Sequence, residues 1–241
     1  MGAGMSFMAA LRRDGSLPEG DEKHRTVEQM FDRLAPRYDR MNRVISLGLD
    51  RGWRRHTVSE LGLPAGSRVL DLACGTGDLC NDLAACEHRA VGVDYSAGML
   101  AAAHTGAALV RGDAAQLPFA QGSFDGVVCG FALRNFVELT AVFSEIARVL
   151  RAGGRFVALD ATVPTNPLLR AGNTIWFRGA VPLLGRALAH DPDAYSYLPK
   201  STAYLPSPPV LVDALGEAGF TEARNHTLTG GSVLVLTATR A

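Results

Sequence analysis

The spacing of apolar positions changes several times along the chain, and each change marks an element. Val27, Met30, Phe31 and Leu34 recur at i, i+3, i+4 and i+7, the stripe of a helix with one buried face. Pro36 interrupts the stripe, a second helical stretch runs from about Gly48 to Leu61, and Gly62 and Pro64 close the section. The pattern then alternates. Short runs at Arg68–Ala73, Ala90–Asp94, Ala108–Arg111 (the weakest), Gly126–Gly130 and Arg155–Asp160 read as strands. Between the last two, Leu139–Leu150 reads as a helix with Val142, Phe143, Ile146, Val149 and Leu150 inward, stopped by Gly153 and Gly154. Strands this apolar, separated by helices, predict an α/β fold with a parallel sheet covered on both faces.

The rhythm breaks over 161–207, which is rich in Pro and aromatics (Trp176, Phe177, Tyr195, Tyr197, Tyr204). Val210–Ala218 returns to helix. Phe220–Thr227 and Ser232–Thr239 read as strands joined at Gly230-Gly231. A two-glycine hairpin cannot join parallel neighbours, so the last strand is expected to be antiparallel. The organisation predicted is a loose tail (1–24), a helical cap (25–62), a core (63–160), an inserted lid (161–207) and a closing helix and hairpin (208–241). Hinge points for a mobile cap would be Pro36, Gly48, Pro164, Pro167, Gly172, Pro182 and Gly185.

Composition narrows the classes. Lys+Arg and Asp+Glu are both 24, so there is no overall basic field and no nucleic-acid partner is expected. No apolar run is long enough to span a bilayer. The apolar patch Met5–Leu11 is followed, not preceded, by Arg12 and Arg13, a poor secretory signal, so a cytoplasmic location is expected. Cys74, Cys80, Cys86 and Cys129 form no CxxC pair. They read as small apolar residues in a reducing compartment, with no metal site expected. Seven arginines against two acids lie between Arg33 and Arg55. This stretch is either a basic face for the inner surface of a membrane or a solvated helix face with local ion pairs.

The strongest chemical signal is Asp71-Leu-Ala-Cys-Gly-Thr-Gly-Asp78, directly after a strand and before a helix. Gly75 and Gly77 let the backbone approach a ligand. Asp94 ends the next strand, where a carboxylate can accept both ribose hydroxyls. A dinucleotide loop would carry a third glycine where Cys80 stands, and Asp71 and Asp78 are poor neighbours for a pyrophosphate. They suit a cationic ligand such as the amino group and sulfonium of S-adenosylmethionine. Asp113, in a third loop, is placed for the adenine amino group, and Ser123-Phe124-Asp125 leads into the fourth strand. These ordered elements have the layout of a Rossmann-like class I methyltransferase, with a mostly parallel seven-stranded sheet, an antiparallel last strand and a helical cap.

More diagnostic motifs flank the loop. They are Met30-Phe-Asp-Arg-Leu-Ala-Pro-Arg-Tyr-Asp39, Met41-Asn42, Ser46-Leu-Gly48, Trp53-Arg54, Leu117-Pro-Phe119, Phe131-Ala-Leu-Arg-Asn135, Asp191-Pro-Asp-Ala-Tyr-Ser-Tyr-Leu198 and Leu228-Thr-Gly-Gly231. Through them the chain resembles the ubiquinone/menaquinone biosynthesis C-methyltransferases from about Val27 to its C-terminus. The resemblance implies methylation of a ring carbon on a prenylated hydroquinone or naphthol. S-adenosylmethionine would be the donor and S-adenosylhomocysteine the product. It maps cofactor contacts onto Thr76, Asp94, Asp113 and Ala114, with Asp71, Ala73, Gly75, Gly77, Tyr95 and Met99 completing the expected set. Gly130 stands where the family often has Ser. Asp160-Ala-Thr162 replaces the family's usual Glu-Phe-Ser after the fifth strand, and Phe131-Ala132 replaces Phe-Gly. These departures lie where cofactor and acceptor meet.

Carbon methylation needs the ring hydroxyl as a phenolate, so a cation and a base are sought. Arg134 is the candidate cation and Asn135 a hydrogen-bond donor beside it. Tyr38 is a candidate for orienting the acceptor, Asp160 or His190 for the base. Each has a plainer reading: surface ion-pair partner for Arg134, helix cap for Asn135, core aromatic for Tyr38. His24, His56, His88, His104 and His226 are expected to be solvated. Two rivals stay open: a small-molecule O-, N- or C-methyltransferase of secondary metabolism, and a protein using the bound sulfonium for cyclisation. A homodimer is compatible with the sequence.

Overall fold

A computed structural model of the chain describes residues 20–176, 179, 181 and 201–241. Its frame is one seven-stranded sheet: β1 (Arg68–Leu72), β2 (Arg89–Asp94), β3 (Ala108–Arg111), β4 (Phe124–Gly130), β5 (Leu150–Ala161), β6 (Phe220–Leu228) and β7 (Val233–Arg240). The spatial order is β3-β2-β1-β4-β5-β7-β6. β1 to β5 pair in parallel, and β7 runs antiparallel to both β5 and β6, as the hairpin glycines require.

Neighbouring residues on the central strands turn to opposite faces. Leu70, Val127, Phe156 and Leu234 join one buried cluster, together with Phe143 and Ile146 of the helix Leu139–Val149 and Leu211 and Leu215 of the helix Pro208–Glu217. Val69, Val128, Val157 and Val235 join the other, against Val58, Leu61, Leu79 and Leu83. Both faces are therefore covered, which is why the strands read as continuous apolar runs.

In chain order the helices are α1 (Gly20–Leu34), α2 (Tyr38–Ile45), α3 (Asp50–Glu60), α4 (Asp78–Ala85), α5 (Ala97–Ala101), α6 (Leu139–Val149), α7 (Pro167–Ile175) and α8 (Pro208–Glu217). Pro36 sits in a single 3-10 turn between α1 and α2.

Two boundaries differ from the expectation. α1 starts at Gly20, inside the stretch read as tail. Lys23 explains this: it is buried, its Nζ donates to the Phe136 carbonyl at 2.6 Å and lies over the Tyr204 ring. Burial also pulls its pKa down to about 8. Gly153 and Gly154 do not stop a helix. α6 ends at Val149, and β5 already pairs Leu150 with Phe124 before a bulge brings Arg155 opposite Gly126. Gly153, at φ 73°, supplies the left-handed turn that the bulge needs.

Candidate active site

The site lies along the carboxyl ends of the parallel strands, where loops from neighbouring strands converge. After β1 the chain turns through three left-handed residues, Ala73 (φ 56°), Gly75 (φ 55°) and Gly77 (φ 90°). A Cβ on Gly77 would stand 2.5 Å from Thr105 Cγ2, so no larger residue fits. The loop is pinned to the next strand end: Gly75 N donates to Asp94 Oδ2 at 2.8 Å, and Ser96 N donates to Asp94 Oδ1 at 2.8 Å. Burial raises the Asp94 pKa against these two donors.

A cavity of about 300 Å³ opens above this loop. Ala73, Gly75, Asp94, Tyr95, Met99, Asp113, Ala114 and Gly130 all line it, so most of the expected cofactor set gathers in one place. Glu28, from α1, also lines it; no motif in the sequence pointed to this residue. Four carboxylates (Glu28, Asp94, Asp113 and Glu138) beside apolar Val93, Met99 and Phe136 suit a ligand with cationic groups, ribose hydroxyls and a flat base. They would repel a pyrophosphate.

Asp71, Thr76 and Gly77 do not line the cavity. Thr76 is buried and its Oγ1 donates to Asp39 Oδ1 at 2.5 Å, tying the glycine loop to α2. Asp71 lies beneath the loop, where its Oδ2 accepts from Cys80 Sγ at 3.3 Å. Its Oδ1 is buried with no hydrogen-bond partner among the described residues. Burial pushes its carboxyl up to about 7.

A second cavity, of about 620 Å³, adjoins the first. Met30, Leu34, Met41 and Ile45 wall it from α1 and α2, Trp53 from α3, and Leu168, Leu169 and Trp176 from the segment after β5. Phe31, Tyr38 and Phe131 line both cavities and so form the partition between them. Burial pushes the Tyr38 phenol above its ordinary range, although the hydrogen bond to Asn42 and the charge of Arg134 act the other way.

Arg134 lines the larger cavity and is only 4% exposed. Its Nη1 donates to Asp160 Oδ1 and to the Phe131 carbonyl, its Nε to Ser201 Oγ, and its backbone N to Asp160 Oδ2. Asp160 is fully buried behind the wall and also accepts from Ala161 N. It lines neither cavity, which sets it apart from the expected general base. Asn135 lines the smaller cavity, not the larger. His190, Phe177, Tyr195, Tyr197 and the rest of the Asp191–Leu198 motif lie outside the described residues.

Three other expectations change. Cys86 is exposed, unlike the other three cysteines. Arg54, counted in the basic stretch, is buried in a network with Asp50, Asp78 and Asp82. Among the histidines, His56 and His226 are half-buried rather than solvated, while His104 is exposed as expected. His104 stands between Asp39 and Asp78, at 3.5 and 3.4 Å, and His56 faces His226. The His24 side chain lies outside the described residues.

Among solved structures, a SAM-dependent methyltransferase of Thermotoga maritima superposes with a TM-score of 0.64 at 19% identity, covering 89% of this chain and 99% of that one. Phosphoethanolamine N-methyltransferase 2 of Haemonchus contortus, solved in complex with S-adenosyl-L-methionine, superposes with a TM-score of 0.59 at 16% identity over 78% of this chain and 52% of that one. At such identities these show the shared fold. Closer in sequence is the demethylmenaquinone methyltransferase of Roseiflexus sp. (strain RS-1), 44% identical over 213 residues, which are 86% of this chain and 90% of that protein. The demethylmenaquinone methyltransferase of Mycobacterium sp. (strain KMS) is 44% identical over 214 residues, 88% of this chain and 93% of that protein. The sequence profile of the ubiE/COQ5 methyltransferase family matches residues 19–240. With that match spanning the sheet, both cavities and the partition between them, the chain belongs to the ubiE/COQ5 methyltransferase family.

Proposed function

We propose that the protein transfers a methyl group from S-adenosylmethionine to a ring carbon of a demethylmenaquinol-type prenylated quinol. The observation that carries this reading is the partition. A small acidic cavity and a large apolar one meet at Phe31, Tyr38 and Phe131. The names of the 44% identical relatives support the same acceptor class.

The residues present fit the cofactor. Asp94 would hold the ribose hydroxyls and Asp113 the adenine amino group. Asp94, Asp113, Glu28 and Glu138 give the cavity a negative lining for an ammonium and a sulfonium, offset in part where Arg111 pairs with Glu28 at 3.1 Å. Bound there, the cofactor supplies an electrophilic methyl group. The chain supplies alignment, which is worth up to about 7–11 kcal/mol when the reacting atoms are held in line. Arg134 places a permanent positive charge on the acceptor wall, where a phenolate would be stabilised. Asp160 acts through it as a positioning residue. Tyr38 orients the ring at the partition, and Asn135 donates from the cofactor side.

The prenyl chain needs an apolar route. Leu47, Leu49, Val163, Leu168 and Leu169 are all exposed and line the larger cavity. Isoprenoid surface buried there gains about 25 cal/mol per Å². Among the described residues no helix is long and apolar enough to cross a membrane. Access to a bilayer would therefore be from its surface, through this leucine rim and the exposed arginines near it. The segments that wall the cavity, 27–60 and 161–176, would act as a cap that excludes water when closed.

The test is incubation with methyl-labelled S-adenosylmethionine and a demethylmenaquinol. Label on the quinol ring carbon is the expected result. Label carried only by other small phenols or amines, or cofactor consumed without transfer, would overturn the reading in favour of its two rivals.

A further inference from the structure

The pair of histidines on the outer side of the sheet has no part in either cavity, yet its geometry is specific. His56 and Glu60 are one turn apart on α3, which stacks them on one face. His226 comes from β6, 170 residues later, and its Nε2 lies 3.0 Å from His56 Nε2. The rings meet at 88°. Glu60 Oε1 is 3.5 Å from His56 Nε2, and the three ligand atoms all lie within 4.8 Å of one another.

Two neutral imidazoles with protons on Nδ1 would point two lone pairs at each other. The close approach therefore requires one ring to carry its proton on Nε2, or a cation between them. A zinc ion bonds imidazole nitrogen at about 2.0–2.1 Å in tetrahedral geometry, which separates two ligand nitrogens by about 3.3 Å. The rings would need to part by only about 0.3 Å. Glu60 would contribute the anionic oxygen. The His56 and Glu60 side chains are each 34% exposed, so an ion can enter from solvent and keep water as its fourth ligand.

We propose that His56, Glu60 and His226 form a binding site for one divalent transition-metal ion, of which zinc is the representative. The ion would clip α3 to the β6–β7 hairpin. One turn earlier on α3, Trp53 Nε1 already donates to Thr229 Oγ1 at 2.8 Å, and the same indole packs edge-on against Phe131. The clip would be a second tie behind that wall. Coordination needs both rings neutral with their protons on Nδ1, so a proton now on Nε2 moves to the other nitrogen of the same ring and none is lost overall.

The experiment uses the full, untagged chain stripped with a chelator and titrated with zinc sulfate by calorimetry at neutral pH. One ion per chain is expected, with a raised melting temperature. His226→Ala should weaken binding by about 100-fold or more, since losing a ligand exceeds the 10–100-fold cost of losing an outer partner, and should abolish the thermal shift. Cys86→Ser, which removes the exposed thiol, should change neither. If metal-free His226→Ala has lost its native circular dichroism, Glu60→Gln replaces it, with binding weakened about tenfold or more. The proposal is overturned by the absence of saturable binding, by unchanged binding in the ligand variants, or by loss of binding in Cys86→Ser. The first of these results would leave an N–H···N bond between neutral rings as the whole explanation.

Discussion

Removing the Asp160 carboxylate should destabilise the protein far more than removing the ion pair as a whole. Asp160 is 0% exposed and Arg134 4%. In Asp160→Ala the guanidinium stays buried without its counter-charge, and two backbone donors, Arg134 N and Ala161 N, lose their acceptor. Breaking a buried pair from one side costs about 3–5 kcal/mol. The Phe131 carbonyl at 2.8 Å and Ser201 Oγ at 3.1 Å still accept from the guanidinium, which argues for the lower half, about 3–4 kcal/mol. At about 2–4 °C per kcal/mol for a domain of this size, the melting temperature should fall by about 6–16 °C. Arg134→Met with Asp160→Leu removes both charges and should recover the part of that loss caused by the unpaired guanidinium, while the two backbone donors stay without their acceptor. It should still fail in methyl transfer, because the charge on the acceptor wall is gone. Urea titrations of wild type, Arg134→Met, Asp160→Leu and the double variant measure the coupling; a labelled-donor assay measures transfer. A loss under about 1 kcal/mol in Asp160→Ala, or a double variant equal to the sum of the singles, would refute the reasoning. Full transfer by the double variant would remove Arg134 from the proposed mechanism.

Asp94→Ala should weaken S-adenosylmethionine binding by about 1.5–3 kcal/mol, or about 10–150-fold, as hydrogen bonds to a charged group are lost; calorimetry checks it. The Asp71 carboxyl keeps its proton to about pH 7 in the folded chain, while the unfolded chain gives it up near 3.9. Its contribution to stability therefore falls as pH rises through that window, by about 4 kcal/mol in all. Asp71→Asn should gain on wild type in urea midpoints measured from acid to neutral pH. Thr76→Val breaks the hydrogen bond to the Asp39 carboxylate and should cost about 1.5–3 kcal/mol, with hydrogen exchange rising in 38–45 and not in the central strands. Phe131, at φ 58°, should invert the usual ranking: Phe131→Gly should be more stable than Phe131→Ala by about 1 kcal/mol, because only glycine is at ease there. Equal or reversed urea midpoints would show that the backbone there carries no strain.

The sheet was legible because its central strands are apolar on both faces, and because a two-glycine hairpin admits only an antiparallel neighbour. That these residues share one cavity was legible for the same topological reason: residues that end parallel strands or follow them, such as Asp94, Gly130 and Asp113, converge at one edge. Contacts made by the cap were not. Thr76 sits in a glycine loop and reads as a ligand contact, since nothing local reveals that α2 brings Asp39 to its hydroxyl. Lys23 reads as tail, since its burial depends on a carbonyl 113 residues away. His56 and His226, one on a helix and one on an edge strand, carry no pattern that links them. The β5 boundary failed for another reason. A glycine pair stops a helix and makes a bulge by the same left-handed turn, so its sequence alone cannot say which.

Backbone strain gathers at the partition. Ala73 and Phe131 follow the adjacent parallel strands β1 and β4, line the smaller cavity and hold left-handed backbone conformations without being glycine. Each such residue costs about 1–3 kcal/mol and persists only where its surroundings over-determine it. Here they do: Phe131 N donates to Leu159 O at 2.7 Å, and Cys74 N, next to Ala73, donates to Val93 O at 3.0 Å. Glycine would relieve the strain at Phe131 but would remove the ring that Trp53 packs against and that divides the two cavities. Next to it, a Cβ on Gly130 would meet Leu79 Cδ1 at 2.7 Å. The wall at this point is therefore made by one strained aromatic. Acceptor specificity at this junction should accordingly respond to Phe131 and Trp53 before it responds to the glycine loop.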